Sequence, residues 1–197
     1  MKEKQLERIL NAGRELFLSN SETFSMRQLA RQLEMSQGNL YNYVSSKREL
    51  WFAVVDRDFN DFENGMKSTI DSHTGPVLAL LDKLAEDYFT FAMEDTQRYR
   101  MMFSSPPHAS SSTGPYETAH EPDSLSFLIE LIETAIEKKE IVETEPGKLA
   151  FYFWSVLHGV VLNYLENCEN EAITIPLGDF RDFQKYVRNK LLAPYRK

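Results

Sequence analysis

A single cysteine, Cys168, in 197 residues excludes an internal disulfide, and no Cys or His pair has the spacing of a zinc framework. A reducing, cytoplasmic setting is therefore expected. The opening residues MKEKQLERIL interleave charged and apolar side chains and lack the unbroken apolar core of an export signal. There is no glycine-rich phosphate loop, no Gly-x-Ser-x-Gly elbow and no His-Glu-x-x-His pair, and the carboxylates are scattered over solvated helix faces, so catalysis is not expected. Neither a cofactor nor a metal is implied: His73, His108 and His120 sit in loop-like stretches, and His158 reads as a hydrogen-bonded interior histidine.

Long apolar runs also fall short of a membrane span. The most apolar stretch, LAFYFWSVLHGVVLNYL (149–165), includes Ser155, His158, Gly159 and Asn163 and is shorter than the ~20 apolar residues a spanning helix needs. A helix apolar on nearly every side must be buried on nearly every side. In a chain of this size that places one side against its own core and another against a second subunit.

What is present is a charge asymmetry. The net charge is −8, yet residues 1–57 carry nine Lys/Arg against seven Asp/Glu, leaving the acidic excess to the remainder. A mildly basic front end on an acidic body suits a chain that meets phosphate at one end, although +2 over such a length is also ordinary scatter.

Apolar periodicity predicts helix almost throughout. Leu6, Ile9, Leu10, Gly13, Leu16 and Phe17 form one stripe of a helix over about 2–19. Ser25 followed by Gln28, and Ser46 followed by Glu49, are capping boxes, and Ser36 is a third N-cap. The caps predict helices over about 26–33 and 37–43 joined by a turn too short for antiparallel packing, which is the geometry of a helix-turn-helix. Leu40 and Val44 would pack on Leu29, Ala30 and Leu33, leaving Gln37, Asn39, Asn42 and Tyr43 outward. Amides suit base edges in a major groove, and tyrosine hydroxyls suit phosphates. Gly38 would admit a close duplex backbone, and Lys47, at the start of the next helix, would pair with a phosphate.

The segment FSMRQLARQLEMSQGNLYNYVSSKREL (24–50) resembles the DNA-binding segment of TetR-type transcriptional regulators. Leu29-Ala30, Ser36, Gly38, Leu40-Tyr41, Lys47 and Leu50 match that pattern in order and spacing. Two positions depart from it: Glu34 stands where the family often has a turn glycine, and Val44 where it often has phenylalanine. Glu34 would have to accept a left-handed backbone. The likeness covers residues 5–55 well and the rest as a looser helical architecture, with WSVLHG (154–159) similar to a helix of some members. It implies an all-α fold of about nine helices: a helix-turn-helix DNA-binding domain at 1–46 and a ligand-binding and dimerisation domain at 47–197, joined by a long helix. The DNA-binding set is then Ser25, Arg27, Ser36, Gln37, Gly38, Asn39, Tyr41, Asn42, Tyr43 and Lys47.

Beyond Lys47, a helix to about residue 68 would carry Phe52, Val55, Phe59 and Phe62 onto later helices, so that repacking there tilts the DNA-binding end. Gly75-Pro76 starts a helix over about 76–95, and a short helix with Tyr99, Met102 and Phe103 follows. The serine- and proline-rich stretch 104–122 reads as a loop, either a cover for a pocket entrance or a plain linker. Helices over 124–140, 145–166 and 178–192 complete the chain. The resemblance places Phe89, Met93, Tyr99, Met102, Phe103, Phe127, Tyr152, Trp154 and His158 on helices that surround an effector cavity, and pairs two chains through their last two long helices. The function expected is that of a homodimeric repressor binding a palindromic double-stranded operator and released by a small apolar or amphipathic effector. The alternative is a helical protein-binding adaptor.

Overall fold

The structure, a computed structural model, describes residues 2–20, 24–104, 123–142, 144–169 and 178–195. Among them are nine α-helices: α1 (Lys2–Asn20), α2 (Met26–Gln32), α3 (Gln37–Tyr41), α4 (Lys47–Ser72), α5 (Val77–Glu94), α6 (Thr96–Met102), α7 (Asp123–Glu137), α8 (Pro146–Glu169) and α9 (Phe180–Leu192). A 3-10 turn, Ala193–Tyr195, closes the described chain. The fold is all-α, as the periodicity predicts. The stretch read as a loop lies, from 105 to 122, outside the described residues.

Two compact units form. The first takes in the chain up to Asp61 and the described residues from Gln97 to Ser104; the second takes in Phe62–Thr96 and the described residues from Asp123 onward. Helix α4 thus contributes Lys47–Asp61 to one and Phe62–Ser72 to the other.

In the first unit, Ile9, Leu10, Leu16 and Phe17 of α1 meet Leu29 and Ala30 of α2, Leu40 of α3, Val44, and Leu50, Trp51 and Val54 of α4 in one core. Met101 of α6 joins it. The close approach of α1 and α4 depends on Gly13: a Cβ there would come within 2.9 Å of the Leu50 side chain. Phe52, Val55 and Phe59 were expected on later helices; they pack in or against this same core, which includes Met101 of α6, and Phe59 meets the Phe103 ring edge-on at 5.6 Å. Phe62 contacts Tyr88 and Phe91 of α5 in the second unit, as expected.

In the second unit, Leu80, Leu81, Leu84, Tyr88 and Ala92 form the buried stripe of α5. Leu149, Phe153, Leu157, Val161 and Leu165 recur every four residues as the buried stripe of α8, and Val187 and Leu191 supply that of α9. Pro76 caps α5 with extended backbone after Gly75 at φ +142, a conformation open to glycine. Helix α4 runs four residues beyond its expected end, because Gly65 is accommodated within it and Ser72 Oγ donates back to the Ser68 carbonyl at 2.7 Å.

Candidate nucleic-acid interface

Three serines start three helices of the first unit. Ser25 Oγ accepts from the Gln28 N–H at 3.2 Å, Ser36 Oγ from Asn39 at 3.1 Å and Ser46 Oγ from Glu49 at 3.0 Å. The Glu49 carboxylate, almost fully buried, in turn accepts from the N–H and hydroxyl of Ser45. Between α2 and α3 the chain turns through a Schellman motif: Met35 N–H donates to the Ala30 carbonyl and Glu34 N–H to the Arg31 carbonyl. Glu34 sits at φ +55, the left-handed conformation that a glycine would take without strain. Leu40 is the fully buried anchor of α3.

The opposite face of α3 is open. Gln37, Gly38, Asn39, Tyr41 and Asn42 are all exposed, and a Cβ at Gly38 would meet nothing within 4 Å. Gln37 Nε2 donates to the Tyr41 hydroxyl at 3.2 Å, which steadies two of these side chains one helical turn apart. Ser25, Ser36 and Arg27 are exposed as well. Tyr43 departs from the expected outward face: it is half-buried and packs against the core. The helix ends at Tyr41, and Tyr43 N–H bonds back only three residues to the Leu40 carbonyl, so residue 43 no longer follows the α3 face.

Lys47 is half-buried, with its ammonium 4.1 Å from the centre of the Phe24 ring and 5.9 Å from that of Phe17. Since Phe24 directly precedes Ser25, the starts of α2 and α4 stand side by side. The sequence gives no sign of this contact, which joins residues 23 positions apart.

The nine expected effector residues are not gathered in one unit. Phe89, Met93, Phe127, Tyr152, Trp154 and His158 lie in the second, whereas Tyr99, Met102 and Phe103 lie in the first, where Phe103 packs on Phe59 and Tyr99. Tyr152 is half exposed, since the i, i+4 stripe through Leu149 and Phe153 turns position 152 away from the core. Phe89 is fully buried and meets the Phe180 ring edge-on at 5.8 Å. Met93 and Phe127 are half-buried, with Lys67 Nζ 5.4 Å from the Phe127 ring centre. Trp154 stacks on His158 at 5.2 Å, and the imidazole Nδ1 lies 3.2 Å from the hydroxyl of Tyr88. Burial holds the His158 pKa below its usual value. Tyr88, 70 positions away, completes this polar pair although its place in the α5 stripe marks it only as core.

The family model for bacterial regulatory proteins of the tetR family matches residues 9–54, and that for the tetracyclin repressor-like C-terminal domain matches residues 81–167. The chain belongs to the tetR family. All of α2 and α3 falls within the first tetR-family match, and all nine expected effector residues fall within the second. A curated relative of this tetR-family chain, the HTH-type transcriptional activator FasR of Mycolicibacterium smegmatis, is 29% identical over 96 residues, covering 48% of this chain and 43% of that protein. The chain thus matches less than half the length of that relative. The fatty acid degradation regulator FadR from Bacillus halodurans has the same fold, with a TM-score of 0.70, 16% identity, and coverage of 95% of this chain and 94% of that one. AibR, solved with isovaleryl coenzyme A and operator DNA, matches with a TM-score of 0.69, 17% identity, and coverage of 97% and 99%.

Proposed function

We propose that the protein is a cytoplasmic homodimeric repressor of a palindromic operator, released by a small effector carrying an acyl chain, and that residues 1–46 with Lys47 meet the DNA. Gln37, Asn39 and Asn42 read base edges. Arg27, Tyr41 and Lys47 hold phosphates, the caps at Ser25 and Ser36 present helix starts to the backbone, and Gly38 admits it closely. Two copies of α3 enter successive major grooves about 34 Å apart.

The observation that carries this reading is the contrast between the buried Leu40, which fixes α3, and the amides of Gln37 and Asn39 and of Asn42 at the helix C-cap, which stay exposed. Dimerisation through α8 and α9 is supported by the exposed aromatics Phe151 and Tyr152 on α8 and Tyr186 on α9. A Cβ at Gly159 would also meet nothing within 4 Å, leaving room on α8 for a neighbouring helix. The acyl effector is supported by the aromatic side chains of the second unit around the Tyr88–His158 pair, by the isovaleryl coenzyme A with which AibR was solved, and by FadR being named a regulator of fatty acid degradation. Its binding favours a dimer whose recognition helices no longer match the groove spacing.

Selecting duplexes from a random pool tests the reading. A palindromic winner, whose binding weakens steeply with salt and is released by isovaleryl-CoA or a longer acyl-CoA but not by free CoA, supports it. Binding to no duplex in dilute buffer overturns it in favour of a protein-binding adaptor. A reporter driven from the selected site settles the sign: a rise in expression on deleting the gene marks a repressor, and a fall marks an activator, as FasR is named.

A further inference from the structure

A lysine at the first position of a helix is electrostatically misplaced, because the unpaired N–H groups there already make that end positive. Lys47 opens α4, yet it is half-buried instead of extended into solvent. Its ammonium stands 4.1 Å from the Phe24 ring centre, well inside cation–π range, and the Phe17 ring meets Phe24 edge-on at 4.9 Å and 76°. The negative face of the Phe24 ring therefore offsets the helix end. Phe24 is itself buried and sits between α1 and the Ser25 cap, so its ring has little freedom to move.

We propose that Phe24, backed by Phe17, is a positioning residue for DNA binding: its ring face holds the Lys47 ammonium beside the Ser25 start of α2 before a phosphate arrives. This rests on the reading that Lys47 contacts phosphate. An unrestrained lysine would lose its rotamer freedom on binding, whereas one already held on a ring has lost it beforehand. Removing the ring face should then weaken every duplex alike, as loss of the lysine does, without altering base preference.

The test uses the full-length protein and the operator found by selection. Site-specific replacement of Phe24 by mono-, di- and trifluorophenylalanine withdraws charge from the ring face while nearly preserving its shape. Stepwise weakening of DNA binding, reaching about threefold to tenfold with a thermal midpoint close to that of the parent, is the expected result. Phe24→Leu should abolish the upfield ring-current shift of the Lys47 ε-protons. In a double-mutant cycle it should also leave Lys47→Ala with less to lose. Equal affinity across the fluorinated series, or additive losses in the cycle, overturns the positioning role while leaving the phosphate contact intact. If Lys47→Ala alone leaves the salt slope unchanged, the phosphate contact fails and the positioning role falls with it.

Discussion

Asp58 keeps its carboxylate wholly out of solvent and pairs it with the guanidinium of Arg14, tying α4 to α1 across 44 positions of chain. Two further cations approach the same carboxylate: Arg98 Nε of α6 at 3.4 Å and Arg57 Nε at 3.8 Å. Arg98 also bonds Asp61 at 3.0 Å. One buried anion thus holds three helices of the first unit at a single point.

Asp58→Ala is the severe substitution this arrangement predicts. It leaves three guanidinium groups, each about one-fifth exposed, facing one another without their shared counter-charge. Breaking a buried ion pair from one side costs about 3–5 kcal/mol. Urea unfolding should show a loss of this size, whereas Lys148→Ala, which removes an exposed i, i+3 pair with Glu145, should change stability by less than about 0.5 kcal/mol. A small effect at Asp58 would mean that the cluster contributes nothing net.

Glu34→Gly should stabilise the protein. The residue closes the Schellman motif at φ +55, where a Cβ is strained, and the side chain is exposed. Glycine removes the strain but also enlarges the freedom of the unfolded chain, so the expected net gain is only about 0.5–1 kcal/mol. Lys139, at φ +57, closes the same motif after α7, with Glu140 N–H donating to the Ala135 carbonyl. Its replacement by glycine should act similarly, and the thermal midpoints of the two variants measure both effects.

The legible parts of this fold are those written within a few residues of themselves. Ser25, Ser36 and Ser46 cap helices through bonds to residues three positions on, and the α1 stripe repeats at helical spacing, so caps and boundaries could be read locally. The left-handed turn at Glu34 was legible through the family pattern. Long-range contacts leave no such trace. The start of α5 is held by Glu140, whose carboxylate accepts from the Leu78 N–H 62 positions away, and that of α7 by Glu63, which accepts from Ser124. The placement of Tyr99, Met102 and Phe103 in the first unit, and the contact of Lys47 with Phe24, depend on such contacts too. At the candidate interface, the exposed amides of α3 followed from helical periodicity, while the inward turn of Tyr43 depended on where that helix stops.

Asn39→Ala and Lys47→Ala should separate specificity from affinity. Losing one amide–base contact costs about 1–3 kcal/mol on the preferred duplex and relaxes the choice at one base pair. Losing a phosphate contact weakens all duplexes alike and lowers the salt slope by about one per subunit contact. Fluorescence anisotropy on matched and mismatched duplexes at several salt concentrations distinguishes the two. If both variants bind the preferred duplex as tightly as the parent, α3 is not the reading element.

Gly38→Ala should move stability and DNA binding in opposite directions. A Cβ at this position meets nothing within 4 Å, and alanine favours helix over glycine by about 0.5–1 kcal/mol, so the free protein should unfold at a slightly higher temperature. If duplex backbone approaches the start of α3, the same methyl group obstructs it and weakens binding. A stabilised protein with undiminished affinity would show that nothing comes close to this face.

The Tyr88–His158 pair predicts the sign of a pH effect. Burial lowers the His158 pKa in the folded protein from its ordinary value of 6.5, so below about pH 6.5 the unfolded chain binds more protons than the native one. The contribution of the neutral imidazole, bonded to Tyr88 and stacked on Trp154, is fully present above that pH. It is lost as pH falls from about 6.5 toward the depressed folded value. His158→Gln lacks this titration. The variant should therefore be less stable than the parent at pH 8, and the gap between their thermal midpoints should narrow by pH 5.5. A gap that widens on acidification would mean that the native state binds the proton more tightly than the unfolded chain, which requires an anionic partner for His158 in place of the neutral Tyr88 hydroxyl and Trp154 ring.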